Sequence, residues 1–234
     1  MKQNESKQAW LPTAEEDDIF SDILESRHLV VFPWLIEAIL ELRPTSVLDY
    51  GAGDGKFLAE LRQQFAGELW HYDPSPALEA KAKQLLGSAD VRFCQDAKSL
   101  GSQSIDVVSS IAVWMTLPSH QACLQYLAEQ HRLLRHEGRA FIVVTHPCFR
   151  EESYSSFKTQ FKNEDYLQDG VAFGVEVFDR DKAVHFVDYH WNLSTMLKQS
   201  REVGFQLLVL TELPDATGGN PRGTPWLCFE FGKA

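Results

Sequence analysis

The residues whose spacing carries the most chemistry are Val47-Leu48-Asp49-Tyr50-Gly51-Ala52-Gly53-Asp54-Gly55-Lys56-Phe57. A short apolar run ends in an acid, three glycines follow at alternate positions, and a helical pattern then begins. Glycines so placed let a chain leaving a strand turn sharply and approach a ligand closely. The amides that open the next helix then point toward that ligand. The pattern is that of a nucleotide-type cofactor loop. Two familiar loops fail against it in detail. The dinucleotide fingerprint G-x-G-x-x-G accepts Gly51 and Gly53 but meets Lys56 where it needs its third glycine. The phosphate loop G-x-x-x-x-G-K-[ST] needs one residue more between Gly51 and Gly55-Lys56, and Phe57 replaces its metal-binding hydroxyl.

Four further segments end where a ligand would sit. Glu68 to Asp73 reads as a strand closed by an acid, and Asp73 lies about 20 residues beyond the loop, the offset of a ribose-binding carboxylate in a Rossmann-type fold. A carboxylate has no proton and two oxygens, so it can accept both ribose hydroxyls. Pro74, Ser75 and Pro76 then start a helix, as expected of proline near its first turn. Val91 to Ala97 is a short strand ending in Asp96-Ala97. Ile105 to Ile111 is an apolar run suited to a buried strand, and Glu137-Gly138 turns into another over Arg139 to Val144.

The acid-x-G-x-G-x-G loop with these strand ends resembles the class I S-adenosylmethionine-dependent methyltransferases, over roughly residues 30 to 150. The resemblance implies a cofactor, S-adenosylmethionine, with S-adenosylhomocysteine as its product. It implies a cofactor site formed by Asp49, Gly51, Ala52, Gly53, Gly55, Asp73, Pro74, Asp96, Ala97, Ser110 and Ile111. Within it the glycine loop packs on the methionine portion, Asp96 accepts from the adenine amino group, the Ala97 amide meets the ring, and the strand end at Ser110-Ile111 lies beside the cofactor. In related enzymes an upstream helix folds over the cofactor, and a cation there meets the methionine carboxylate. Arg27 and His28 stand at that place.

The elements that must position these residues follow from the pattern. Strands at 46–50, 68–72, 91–94, 105–110 and 139–145 alternate with helices at 33–42, 55–65, 76–86 and 119–135, which implies a parallel sheet with helices on both faces. Residues 1 to 13 read as a tail and Glu15 to Leu29 as a helix, so residues 1–30 form a tail and cap helix, and residues 31–234 the main domain. After His146-Pro147 the chain becomes polar and aromatic. Val171 to Val177 and Ala183 to His190 read as a hairpin, within a substrate-cover insertion spanning about 148–192. Asn192 or Ser194 caps a helix ending near Gly204, and Phe205 to Leu213 and Trp226 to Gly232 are the last strands. The resemblance implies that this last pair is antiparallel and completes a seven-stranded, Rossmann-like, mostly parallel sheet.

The 234 residues suit one domain with a small insertion. Net charge is -11, which disfavours nucleic acid or an anionic membrane as partner. No apolar run reaches the ~18 residues of a membrane span, and the polar start Met1-Lys2-Gln3-Asn4-Glu5-Ser6 has no signal-peptide core, so the cytoplasm is the expected location. Cys94, Cys123, Cys148 and Cys228 are scattered without a C-x-x-C pair, which favours free thiols and supports no metal site.

Methyl transfer asks mainly for alignment of nucleophile and methyl in a dry pocket, and for a general base only when the acceptor arrives protonated. His146, just past the fifth strand, is the leading base candidate, because ligands gather at strand C-termini and histidine titrates near neutral pH. Tyr154, His185, Tyr189 and His190 are weaker ones, and Trp114 stands where it would line an acceptor pocket. The aromatic insertion points to a covered pocket and a small-molecule acceptor presenting an O, N or C nucleophile. A protein or peptide methyltransferase, a nucleic-acid methyltransferase, a non-catalytic cofactor-binding sensor or assembly subunit, and a dehydrogenase remain alternatives, and the oligomeric state stays open.

Overall fold

The computed structural model describes residues 27–87, 90–179, 182–215 and 223–233. Most of the helix read over Glu15 to Leu29 therefore lies outside the described residues, as does much of the loop 214–225. Where the description begins, Arg27–Val31 forms a single wide π-turn that runs into helix α1, Phe32–Glu41. Pro33 sits in the first turn of α1, where its missing N–H costs nothing. Phe32, Leu35, Ile36 and Ile39 recur at helical spacing and are all buried.

The chain then alternates as β1 (Ser46–Tyr50), α2 (Lys56–Arg62), β2 (Glu68–Tyr72), α3 (Pro76–Leu86), β3 (Val91–Cys94), β4 (Ile105–Ile111), α4 (His120–Leu133) and β5 (Leu134–Thr145). Local chemistry sets these limits. The Ser75 hydroxyl caps α3 by accepting from the Leu78 amide, and Ser119 caps α4 by accepting from Ala122. Helix α2 is shorter than the pattern suggested, ending at Arg62, whose guanidinium holds the carbonyls of Phe65, Gly67 and Asp90. Those three bonds tie down the turn into β2.

After β5 come β6 (Phe157–Thr159), β7 (Val171–Asp179), β8 (Lys182–His190), α5 (Leu193–Glu202), β9 (Phe205–Leu213) and β10 (Trp226–Lys233). Asn192, not Ser194, caps α5. The main sheet has seven strands in the order β3-β2-β1-β4-β5-β10-β9. Its first five strands are parallel, and β10 runs antiparallel to both neighbours. Both faces of the central strands are covered, so β1 and β4 are buried along almost their whole length. Strand β9 differs. It lies at the sheet edge, and Leu207, Leu208, Val209 and Leu210 are all exposed.

The hairpin expected after residue 170 is present as β7 and β8. It gains a third antiparallel strand, β6, too short to stand out in the sequence. This small sheet carries its own core of Tyr154, Phe157, Phe161, Phe173, Val175, Val177 and Val184. It joins the main sheet where the Phe157 ring meets Trp226, with centroids 6.0 Å apart. No helix among the described residues is long and apolar enough to cross a membrane.

Phe229 is central to the main core. It is fully buried on β10, stacks on Phe231 and packs 5.7 Å from Trp114. Truncating such a ring leaves a cavity that the sheet cannot close, so Phe229→Ala should cost about 3–5 kcal/mol in urea unfolding. A loss below about 1 kcal/mol would show that this layer is not close-packed.

Candidate active site

A cavity of about 300 Å³ opens at the C-terminal ends of β1 and β4. One wall is the glycine loop after β1 with the end of β2, and the opposite wall is the small sheet. Its position follows from the parallel sheet, whose strand ends gather ligands at the point where strand order reverses.

The loop is held from β2. Gly51 and Ala52 both donate to the Tyr72 carbonyl, at 2.8 and 2.9 Å, and Gly53 donates to Asp73 Oδ2 at 2.8 Å. The other Asp73 oxygen accepts from the Ser75 amide at 2.8 Å. His71 is fully buried beneath the loop, and its Nε2–H donates to the Gly53 carbonyl at 2.9 Å. Burial lowers the His71 pKa against the pull of that carbonyl, so the ring is neutral. Gly51, Gly53 and Gly55 all have positive φ. At Gly51 a Cβ would come within 2.4 Å of Val113 Cγ2, whereas a Cβ on Gly53 would meet nothing. Gly51 thus lets two loops touch, and Gly53 faces open space.

These bonds decide what the loop can hold. A phosphate cradle needs free amides aimed at the anion, but the amides of Gly51, Ala52 and Gly53 are already spent on β2. The lining carries four carboxyls, Asp49, Asp54, Asp73 and Asp188, against one cation, Arg27. The balance suits a ligand that brings positive charge and disfavours a pyrophosphate.

Asp49 is 2% exposed and accepts from the Ser109 hydroxyl at 2.9 Å. Burial pushes its pKa up to about 7, while the Ser109 bond works against that and the nearby Asp73 adds to it. Arg27 lines the cavity beside it. Burial lowers the Arg27 pKa against the pull of Asp54 and Asp49, and its Nε is buried with no hydrogen-bond partner.

The structure brings together Asp49, Gly51, Ala52, Gly53, Asp73, Pro74 and Ile111 of the expected cofactor residues at the cavity wall. Gly55, Asp96, Ala97 and Ser110 fall outside that wall. Gly55 begins α2 and packs over Ala82 and Leu86. Asp96 is exposed and caps a short turn by accepting from the Lys98 amide, with Ala97 buried beside it. Ser110 donates to the Tyr50 carbonyl and accepts from the Tyr126 hydroxyl, each at 2.7 Å, which occupies its side chain within the core.

His146 also stands off the cavity. It is 4% exposed, one ring nitrogen meets Glu212 at 3.0 Å and the other accepts from the Cys148 amide. Both nitrogens thus serve to join β5 to β9 and the turn that follows. Trp114 is buried packing, with its indole N–H on Gln199. His185 is exposed, His28 pairs with Glu60, and the Tyr154 hydroxyl donates to the Phe149 carbonyl. Three contributors were not legible beforehand: His71, Ser109 and Asp188. His71 and Ser109 sit on strands that already read as buried, and Asp188 reads as one polar residue of a hairpin. Only the folded register turns them toward the site.

The raised Asp49 pKa makes stability depend on pH. Between about 4 and 7 the folded chain keeps a proton that the unfolded chain has lost, so Asp49 contributes falling stability as pH rises through that window and no slope above it. Asp49→Asn removes the slope and keeps a partner for Ser109. From pH 4.5 to 8 the variant should therefore gain on the wild type by up to roughly 3 kcal/mol in urea unfolding. A gap that does not change with pH would contradict the buried, protonated state.

The model of the methyltransferase-domain family matches residues 24–208. No curated protein matches the chain significantly. Several solved structures share its fold at low identity. An S-adenosylmethionine-dependent methyltransferase from Clostridium acetobutylicum is 13% identical with a TM-score of 0.67, over 94% of this chain and 96% of that one. The 1,6-didemethyltoxoflavin-N1-methyltransferase of Burkholderia thailandensis, solved with its substrate and S-adenosylhomocysteine, is 21% identical with a TM-score of 0.60, over 94% and 83%. A Haloferax volcanii putative methyltransferase, in complex with the Trm112 activator, is 15% identical with a TM-score of 0.62, over 93% and 92%. With the family model matching more than half of its length, and with a seven-stranded sheet that ends in an antiparallel pair, the chain belongs to the methyltransferase-domain family.

Proposed function

We propose that the protein transfers a methyl group from S-adenosylmethionine to a small-molecule acceptor. The observation that carries this reading is one cavity with two chemically different halves: an acid-rich glycine loop on one side and an apolar cover on the other. Bound there, the cofactor supplies a methyl on a positively charged sulfur, which a nucleophile displaces in line as the carbon–sulfur electron pair returns to sulfur.

The residues present fit that group. Asp73 presents a two-oxygen carboxylate at the cavity wall, the acceptor chemistry that a ribose diol needs. Asp49 and Arg27 stand together at the cavity wall, an acid and a cation, as an ammonium and a carboxylate on one carbon require. A bound ammonium would draw the proton off Asp49, and a bound carboxylate would fill the place at the orphaned Arg27 Nε. Asp96 and Ala97, at the end of β3 beyond the cavity wall, remain the residues assigned to the adenine.

The cover fits a small acceptor better than a peptide. Phe157, Val175, Val177 and Phe186 of the small sheet line the cavity together with Trp226, and this apolar roof excludes water from the transfer. The toxoflavin enzyme of the same fold acts on a molecule of that size. The chain's task is thus orientation and desolvation, which supply much of the rate in such displacements.

The test is formation of S-adenosylhomocysteine from S-adenosylmethionine in the presence of phenols, amines, amino acids, peptides and RNA, each class assayed separately. Turnover with a small-molecule class is the expected result. Turnover with peptides or RNA alone would replace the acceptor assignment. Tight cofactor binding with no turnover on any class would leave a sensor or assembly subunit.

A further inference from the structure

Away from the glycine loop, the end of β2 and Arg27, the cavity lining is apolar apart from two threonines and a single ionisable group, Asp188 on β8. Asp188 is 2% exposed, and its Oδ1 is buried without a hydrogen-bond partner. No ion pair reaches it among the described residues. A buried carboxyl in that condition is costly unless something completes it.

The surroundings show what is missing. Asp188 stands in register with Phe173 on β7, and the Arg150 guanidinium lies 4.8 Å over the Phe173 ring. Arg150 is 2% exposed, and none of its three guanidinium nitrogens has a hydrogen-bond partner. Arg150 is not part of the cavity lining, and its charge acts on Asp188. Burial pushes Asp188 up to about 7 and Arg150 down to about 10, and each charge opposes the shift of the other. His190 lies two residues along on the same face of β8, and its Nε2–H donates to the Tyr166 carbonyl. Burial and Arg150 together push His190 down to about 4, so it is neutral and does not compete as a charge. The outcome is a buried carboxyl at the cavity wall under the influence of a buried cation.

We propose that Asp188 is the acceptor-binding carboxylate, taking a hydrogen bond from the nucleophilic N–H or O–H of a small molecule whose apolar body packs under Phe157, Val175 and Phe186. This rests on the methyltransferase reading and narrows it. A carbon nucleophile gives Asp188 nothing to hold, and an acceptor with a carboxylate or phosphate beside the nucleophile would be repelled. The expected class is an amine, alcohol or phenol on an apolar frame. As the nucleophile commits its lone pair to the new bond with carbon, Asp188 receives the proton that the N–H or O–H sheds.

The test uses a probe that spans both halves of the site: an analogue of S-adenosylhomocysteine with nitrogen in place of sulfur, bearing a 2-aminoethyl arm that sets an ammonium where the acceptor would sit. Its affinity and that of S-adenosylhomocysteine are measured by calorimetry on the wild type and on Asp188→Asn. The variant should weaken the aminoethyl probe by about tenfold or more and leave S-adenosylhomocysteine nearly unchanged. Equal effects on the two ligands, or none on the probe, would overturn the assignment. Failure of the wild type to bind S-adenosylhomocysteine would instead remove the cofactor reading, and this assignment with it. Should Asp188→Asn not fold, the wild type crystallised with the probe decides: the ammonium on Asp188 supports the proposal, and an ammonium directed elsewhere overturns it.

Discussion

The grip of β2 on the glycine loop is the constraint on which the site depends. Tyr72, Asp73 and His71 take up three loop amides and one loop carbonyl. Each bond alone is worth about 1 kcal/mol, but together they take the amides of Gly51, Ala52 and Gly53 away from any phosphate. The loop is then a shaped gap lined by acids rather than an anion nest. That one fact separates this site from the dinucleotide and triphosphate sites that its glycines superficially suggest, and it selects a ligand with positive charge.

The second constraint is the roof. A single parallel sheet offers a ligand an open crevice at its strand ends, and the small sheet adds a second wall to it. The small sheet is stable enough to do so because it has its own aromatic core and is joined to the main sheet through Phe157 and Trp226. Its inner face then places Asp188 and Arg150 in a low-dielectric setting, where charge is costly and therefore specific. The cofactor half is built from the sheet that defines the fold, and the acceptor half from the insertion.

That division explains what the sequence revealed. Asp49, Gly51, Gly53 and Asp73 were legible because each sits at a strand end with a backbone reason for its identity. The sheet was legible because parallel strands read as apolar runs between capped helices. His146 was placed by the rule that ligands gather at strand ends, but its side chain turns toward Glu212 on β9, a pairing between strands 66 residues apart that local pattern cannot reveal. Ser110 shows the same limit: it ends the right strand, but Tyr126 holds its hydroxyl in the core. Asp188 was hidden for the converse reason. It lies in a hairpin whose inward face is decided by how that hairpin docks, and docking is absent from the local period.

The most direct measurement is the thermal unfolding midpoint of the wild type and of Asp73→Ala with S-adenosylhomocysteine, NAD or ATP, each in turn. At about 100 times its dissociation constant a ligand adds roughly 2.7 kcal/mol to the folded state. A rise in the wild type with S-adenosylhomocysteine, absent with NAD and ATP and lost in Asp73→Ala, is the predicted result. A rise with NAD or ATP, or none with S-adenosylhomocysteine, would contradict the acid-lined loop as a site for a cationic adenosyl cofactor.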